Sequence, residues 1–163
     1  MDLDAFFASC EQLEHPEYRG LPVVVGARPG HRGVVAAASY EARRFGIHSA
    51  MPISEAFRRC PDAVFLRPDM QKYQHYSQLV FQILATLTPV VEAASIDEAY
   101  LDVTDRVDAW EDAIRVAEDL QRQVGAEVGL SASLGVATNK LVAKVASDQD
   151  KPGGLTVVAP GEE

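Results

Sequence analysis

The chain has 163 residues, of which 47% are hydrophobic and 24% are charged, as in a globular protein with one core or one core plus a compact insertion. No apolar run approaches the roughly 18 residues of a membrane span, and Asp2 and Asp4 stand where a signal peptide would be basic. The net charge of −9 argues against a general nucleic-acid-binding surface. We expect a cytoplasmic protein without a membrane partner, with Cys10 and Cys60 reduced and buried.

The first half of the chain alternates short strands with short helices. Residues 2–4 have the character of a strand end. Apolar runs and breakers then predict a helix at 6–13, strands at 22–26 and 34–39, helices at 40–46 and 52–60, and a strand at 63–66.

The second half has longer amphipathic segments. A helical apolar period predicts a helix at 71–87, followed by a hairpin of strands 90–94 and 99–103. A second amphipathic helix is predicted at about 108–124, with Gly125 and Gly129 at its exit, and then a strand at 130–136, a helix at 139–147 and a strand at 155–158. This order predicts an α+β fold, with helices on one face of a sheet and residues 11–69 as a small inserted subdomain.

Two adjacent acids, Asp97 and Glu98, occupy the tip of the predicted hairpin. Neighbouring side chains of a regular strand point to opposite faces, so acids that act together require a bend or a tight turn. Clustered carboxylates repel each other unless a cation neutralises them. An isolated Asp-Glu pair is most often a solvated turn, and a second acidic pair at the start of the chain changes this interpretation.

That second pair is Asp2 and Asp4, which share one face if the segment is a strand. If this strand lies beside the hairpin, then Asp2, Asp97 and Glu98 converge. Three carboxylates without a neighbouring His or Cys are hard oxygen ligands, which suit Mg²⁺ or Mn²⁺. Such clusters hold two ions roughly 3.5–4 Å apart for in-line phosphoryl transfer.

Four blocks of sequence, 2–11, 39–43, 95–102 and 139–144, together resemble the signature blocks of the Y-family DNA polymerases, DinB branch. The resemblance implies a ferredoxin-like palm sheet with helices packed on it, formed by residues 1–10 and 70–163. It also implies that residues 11–69 are a small α/β fingers subdomain, inserted after the first strand and helix. Family members carry more strand before the first catalytic aspartate, and a thumb and a C-terminal DNA-gripping domain, so we expect a palm–fingers fragment with weak or no activity alone.

By this resemblance Asp2, Asp97 and Glu98 are the catalytic metal ligands for two Mg²⁺ ions, with Mn²⁺ as a possible substitute, and the Leu3 carbonyl joins them. Phe7 takes the place of the steric gate that excludes a ribose 2′-hydroxyl. Phe6 is included beside it as a nucleotide-binding residue, although core packing is an equally good interpretation of Phe6.

The remaining nucleotide contacts come from three places in the sequence. Tyr40 and Arg43 are three apart on one helical face, where a phenol and a forked guanidinium can hold phosphate oxygens. Lys151 matches the family's third triphosphate contact. Small side chains of the fingers are expected to cover the nascent base pair, namely Val34, Ala36 and Ala37.

The resemblance implies translesion DNA synthesis, with primer–template DNA and an incoming dNTP as partners. It implies that a sliding clamp would bind only through regions outside these 163 residues. Lys140 and Lys144 lie on one helix face. They are interpreted either as contacts to the primer strand or as solvent-exposed surface residues. One alternative is a non-catalytic relative that acts as an interaction module in the DNA-damage response. A nucleotide cyclase is another, but Tyr40, Arg43 and Phe7 have no role there.

Overall fold

The computed structural model describes all 163 residues and divides into two compact units. The host unit comprises Met1–Asp4 and Gln74–Glu163, and the inserted unit comprises Ala5–Tyr73. Helices and short sheets are mixed in both, which confirms the predicted α+β class. No helix combines the length and the apolar character needed to cross a membrane. The assignment of these parts as palm and fingers stays a prediction.

The elements follow the predicted order with modest changes in their bounds. The strands are β1 Asp2–Leu3, β2 Val23–Gly26, β3 Val35–Ala38, β4 Val64–Leu66, β5 Val91–Ala93, β6 Ala99–Leu101, β7 Ala132–Val136 and β8 Leu155–Val157. The helices are α1 Phe6–Glu14, α2 Tyr40–Arg43, α3 Ile53–Arg59, α4 Met70–Leu87, α5 Trp110–Glu127 and α6 Lys140–Ser147. Two short 3₁₀ turns, Pro16–Tyr18 and Thr104–Arg106, have no counterpart among the predicted elements.

The inserted unit is built on a three-stranded sheet in the order β3-β2-β4. The central strand β2 pairs antiparallel with β3 and parallel with β4. Its Val23, Val24 and Val25 are fully buried, as expected of β-branched residues in a central strand. Helix α1 packs on β2 and β3. One apolar cluster fills the unit and includes Cys60, which is buried like Cys10, and neither thiol forms a disulfide.

The host unit places the two-residue strand β1 between its two other strand groups. On one edge β1 pairs antiparallel with β7, with Asp2 opposite Ser133, and β7 continues in parallel to β8. On the other edge Asp2 forms a bridge to Glu98, next to the antiparallel hairpin of β5 and β6. The conditional prediction that the first strand lies beside the acidic hairpin is therefore met.

Helices α5 and α6 both pack on β7. Helix α5 buries a stripe at helical spacing, formed by Ala113, Ala117, Leu120 and Val124. Helix α6 approaches β7 at Gly135, where a Cβ atom would lie 2.0 Å from the carbonyl oxygen of Ala143 and 2.7 Å from the amide nitrogen of Ser147. The missing side chain is therefore what lets α6 reach this strand.

Helix α5 runs three residues beyond its predicted end near 124 and ends between the two glycines expected at its exit. It continues through Gly125 to Glu127, and of the two glycines only Gly129 adopts a positive φ, of 81°. The Gly129 amide closes the end by donating to the carbonyls of Val124 and Gly125.

The close approach at Gly135 predicts that Gly135→Ala lowers the free energy of unfolding by about 1–3 kcal/mol, because the new methyl group overlaps backbone atoms of α6. Urea denaturation measures this change. The matched control is Gly125→Ala, where a Cβ atom would meet only one atom, at 4.0 Å. That control should raise stability by about 0.5–1 kcal/mol, since alanine is the better helix former. Equal effects of the two variants would contradict the packing assigned to α6.

Candidate functional site

Strand β1 is fixed to the tip of the acidic hairpin through its backbone. The Leu3 amide donates to the carbonyl of Asp97 at 2.9 Å, and the Ala99 amide donates to the carbonyl of Met1 at 3.1 Å. The amide and carbonyl of one strand residue point to the same edge, so the Leu3 carbonyl also faces the hairpin. Leu3 and Asp2 are 1% and 7% exposed, which keeps the Asp2 carboxylate largely out of water.

The carboxylates of Asp2 and Glu98 share the ammonium group of Lys144. Lys144 Nζ lies 3.0 Å from Asp2 Oδ2 and also donates to Glu98 Oε1. The same Asp2 oxygen accepts a second hydrogen bond, of 2.7 Å, from Lys151 Nζ. Two lysines therefore converge on one carboxylate oxygen, and one of them links it to the hairpin.

These contacts shift the ionisation of the groups that make them. Burial raises the pKa of Asp2, but the hydrogen bonds that its carboxylate accepts from Lys151 and Lys144 outweigh this effect, and the pKa of Asp2 lies below its usual value. Burial lowers the pKa of Lys144, yet hydrogen bonds to Glu98 and Asp2 outweigh this effect and raise it. The pKa of Lys151 is raised in the same way by Asp148 and Asp2. These directions favour the charged forms of Asp2, Lys144 and Lys151.

Asp97 is connected to Glu98 by a side chain of the same turn. Ser95 Oγ donates to Asp97 Oδ1 at 2.8 Å and lies 3.4 Å from Glu98 Oε2. The turn between β5 and β6 therefore directs both acids toward one hydroxyl, although they are neighbours in sequence. The Asp97 amide also donates to Ser95 Oγ at 3.4 Å, so the same hydroxyl caps the turn.

The predicted metal ligands form a chain of contacts rather than a ready-made cage. No group of three or more Asp, Glu, His or Cys side chains is already arranged to hold a metal ion. The donors nevertheless fit Mg²⁺ or Mn²⁺, because Asp2, Asp97, Glu98 and the Leu3 carbonyl offer only hard oxygens. Asp2 and Glu98 already share one positive charge, so their geometry tolerates a cation between them.

Asp4 has a structural role that the sequence did not reveal. Its carboxylate is 3% exposed and accepts hydrogen bonds from Ser131 Oγ at 2.6 Å, Ser133 Oγ at 2.6 Å and the Gly153 amide at 2.8 Å. These partners belong to the start of β7 and to the loop that carries Lys151. The Ser-x-Ser spacing within an alternating strand was the available signal, since both hydroxyls lie on one face.

In the inserted unit, Phe7 stacks on Tyr73. Their ring centroids are 4.3 Å apart with an interplanar angle of 13°. The Tyr73 hydroxyl donates to Glu11 Oε1 at 2.9 Å, and Lys72 Nζ donates to Glu11 Oε2 at 2.9 Å. Phe7 and Glu11 are four apart on α1, so one tyrosine spans both positions. Phe6 is 3% exposed and lies in the core, whereas Phe7 is half-buried.

Tyr40 and Arg43 contact each other on the short helix α2, where Arg43 Cζ lies 4.5 Å from the Tyr40 ring centroid. Arg43 Nε donates to the carbonyl of Ala38 at 3.1 Å, which anchors the guanidinium while the residue stays exposed. Ala36 and Ala37 point to opposite faces of β3, so Ala36 is exposed and Ala37 is 8% exposed. Only the methyl group of Ala36 is available on the open face.

Comparison with known proteins shows the family of the chain. Residues 1–148 match the sequence profile of the impB/mucB/samB family. The chain belongs to this family. The predicted resemblance to the DinB branch of the Y-family polymerases is confirmed by the family match and by the relatives of the chain.

The relatives of this impB/mucB/samB chain are considerably longer than it is. DNA polymerase IV of Listeria welshimeri is 49% identical over 162 residues, which cover 99% of this chain and 46% of that protein. DNA polymerase IV of Alkalilimnicola ehrlichii is 53% identical over 160 residues, which cover 98% and 45%. The chain therefore spans under half the length of these curated relatives.

Solved structures show the same fold. DinB from Sulfolobus solfataricus superposes with a TM-score of 0.94 at 38% identity, covering 99% of this chain and 48% of that one. A structure described as an insertion ternary complex of Dbh DNA polymerase superposes equally well, with the same identity and coverage.

The hydrogen bonds of Asp4 predict that Asp4→Ala lowers the free energy of unfolding by about 2–3 kcal/mol, because a buried charge-assisted network loses its acceptor. Chemical denaturation measures the loss. Glu118→Ala, on the exposed face of α5, is the control and should change stability by less than about 0.5 kcal/mol. Similar small effects of both changes would remove the structural role assigned to Asp4.

Proposed function

We propose that this chain is the palm and fingers of a DinB-type translesion DNA polymerase, which adds a deoxynucleotide to a primer 3′-hydroxyl and releases pyrophosphate. The observation that carries the proposal is the junction of β1 with the acidic hairpin. There Asp2 and Glu98 share one cation, Asp97 lies on the same turn, and Lys151 reaches Asp2. Membership of the impB/mucB/samB family supports it.

In the host unit, Asp2, Asp97 and Glu98 are proposed to hold two Mg²⁺ ions, with the Leu3 carbonyl as a further ligand. When bound, the ions would lower the barrier by activating the primer hydroxyl and neutralising the triphosphate. Lys151, presented from the loop before β8, is proposed to bind triphosphate oxygens. Its ammonium is held by Asp2 and Asp148 and is therefore already directed toward the acidic site.

In the inserted unit, the Phe7 ring is proposed to exclude a ribose 2′-hydroxyl. Stacking on the buried Tyr73 supports this role, because a ring fixed on one face cannot turn aside freely for an extra hydroxyl. Tyr40 and Arg43 are proposed to bind phosphate oxygens, and the exposed guanidinium of Arg43 is suited to forked contacts. The small side chain of Ala36, on the open face of β3, is proposed to leave room for a damaged base pair, whereas Ala37 is buried on the other face.

Primer–template DNA is the proposed partner, although the charge of −9 gives the isolated chain little phosphate-neutralising surface. Since neutralisation by Lys and Arg dominates duplex affinity, we expect weak duplex binding by this chain alone. A test of catalysis should therefore supply DNA-binding regions from a relative.

The decisive experiment uses a chimera in which these residues replace the matching segment of Listeria welshimeri DNA polymerase IV. With primer–template DNA, dNTPs and Mg²⁺, the chimera should extend the primer. Asp97→Ala should reduce the extension rate by about 10²-fold or more, because a ligand that supports transition-state charge is lost. Glu118→Ala in the same chimera is the control and should leave the rate unchanged.

Three outcomes separate the readings. Primer extension at an unchanged rate in the Asp97→Ala chimera would contradict the assignment of Asp97 as a metal ligand. A folded chimera that binds primer–template but never extends it would favour a non-catalytic interaction module. Extension abolished only by Asp97→Ala would support the polymerase proposal.

The same chimera tests the proposed sugar filter. Phe7→Val should lower the preference for dNTP over rNTP by about 10²-fold, a size typical of a site that discriminates one hydroxyl sterically. The measurement is the ratio of insertion efficiencies for matched dNTP and rNTP. Phe6→Leu is the control, because Phe6 lies in the core and its replacement should leave the ratio unchanged. A ratio altered equally by both changes would point to general loosening of α1.

A further inference from the structure

Lys144 occupies a position that a metal ion would need. Its ammonium bridges Asp2 and Glu98, the two carboxylates that come from different segments of the host unit. Nothing in the spacing of α6 requires this, since Lys140, one turn earlier on the helix, pairs instead with Glu92 at 2.5 Å. Lys144 therefore forms direct ion pairs with both Asp2 and Glu98.

Lys144 also has a second acidic neighbour, Asp148, outside the pair of Asp2 and Glu98. Lys144 Nζ lies 3.7 Å from Asp148 Oδ2, four residues later at the end of α6. Asp148 Oδ1 also holds Lys151 at 2.8 Å. The Lys144 side chain is 35% exposed, and its ammonium is already within ion-pair distance of Asp148.

We propose that Lys144 is a built-in counter-ion of the acidic site, which holds Asp2 and Glu98 together before a metal binds and which an incoming divalent ion must displace toward Asp148. The inference rests on the proposed metal role of these acids and adds a residue that sets their affinity. Lys144 is a positioning residue here, because it acts through the two carboxylates.

Displacement follows from the size and sign of the charges. Lys144 Nζ lies within hydrogen-bond distance of both carboxylates, so an ion bound between the same oxygens would contact the ammonium directly. Like charges at such a separation repel strongly wherever water is partly excluded. The lysine and the metal are therefore mutually exclusive occupants, and the apparent metal affinity includes the cost of breaking the two ion pairs.

The test measures Mn²⁺ binding alone, by loss of the free-ion signal in electron paramagnetic resonance, on the whole 163-residue chain. Lys144→Met should tighten Mn²⁺ binding by about tenfold, equivalent to about 1.4 kcal/mol. Lys144→Gln provides a second variant with a polar side chain, and circular dichroism verifies that both fold. No nucleotide, DNA or catalytic turnover is needed for this readout.

The matched control is Lys140→Met, which removes the same charge from the same helix. It breaks the ion pair with Glu92 but removes no contact from Asp2, Asp97 or Glu98, so it acts on them only through the longer-range potential. We therefore expect tightening of about twofold at physiological ionic strength, where the Debye length is about 8 Å. Equal tightening by Lys140→Met and Lys144→Met would overturn the inference, because charge alone would then explain the effect. A tenfold against twofold difference would support displacement from the acids.

The Asp97→Asn variant separates this inference from the proposed function. Mn²⁺ binding that depends on Asp97 but is unchanged in both Lys144 variants would overturn the counter-ion role and leave the metal site intact. Absence of Asp97-dependent binding in every chain, Lys144→Met included, would overturn both.

Discussion

A single carboxylate oxygen, Asp2 Oδ2, has two ammonium groups bound to it, and the host unit is arranged around that contact. Lys144 comes from α6 and Lys151 from the loop before β8, so the oxygen joins the helix and the loop to β1. A buried acid of this kind is stabilised only if its charge is matched. The cluster matches it with more than one lysine, and Glu98 and Asp148 balance the surplus.

Asp4 supports the same contact without taking part in it. By accepting from two serines and the Gly153 amide, it fixes the path of the chain just after Lys151. Gly135 supports it from another direction, because the absence of a side chain there brings α6 close enough for Lys144 to reach Asp2. The two acids of the Asp-x-Asp motif thus have different roles. Asp2 provides the charge at the site, and Asp4 fixes the neighbouring backbone.

The sequence predicted most of the fold because its helices and strands carry strong periodic patterns. The stripe of α5 and the alternation of β7 each identify an element without any tertiary information. Helix α5 extends through Gly125 because a glycine inside a helix costs only about 1 kcal/mol relative to alanine, which tertiary packing easily offsets. The two 3₁₀ turns are too short to have a period and so left no signal.

The candidate site was predictable in part, through motifs rather than through geometry. Asp2, Asp97 and Glu98 were identified from their spacing and resemblance, and β1 does lie beside the hairpin. The contacts of Lys144 were not predictable, since a lysine on a helix face pairs with whichever acid the fold places opposite it. Likewise, the partnership of Tyr73 with Glu11 joins residues 62 apart in the chain, and no local pattern encodes it.

The shortness of β1 has a consequence for how the site can be observed. Its two residues join the hairpin to β7, and the Leu3 amide is hydrogen-bonded to Asp97 itself. Exchange of that one amide proton with solvent therefore requires the strand to part from the acidic turn. In a hydrogen-exchange experiment, the Leu3 amide reports whether β1 and the acidic turn are paired. Its protection factor measures the free energy of separating them.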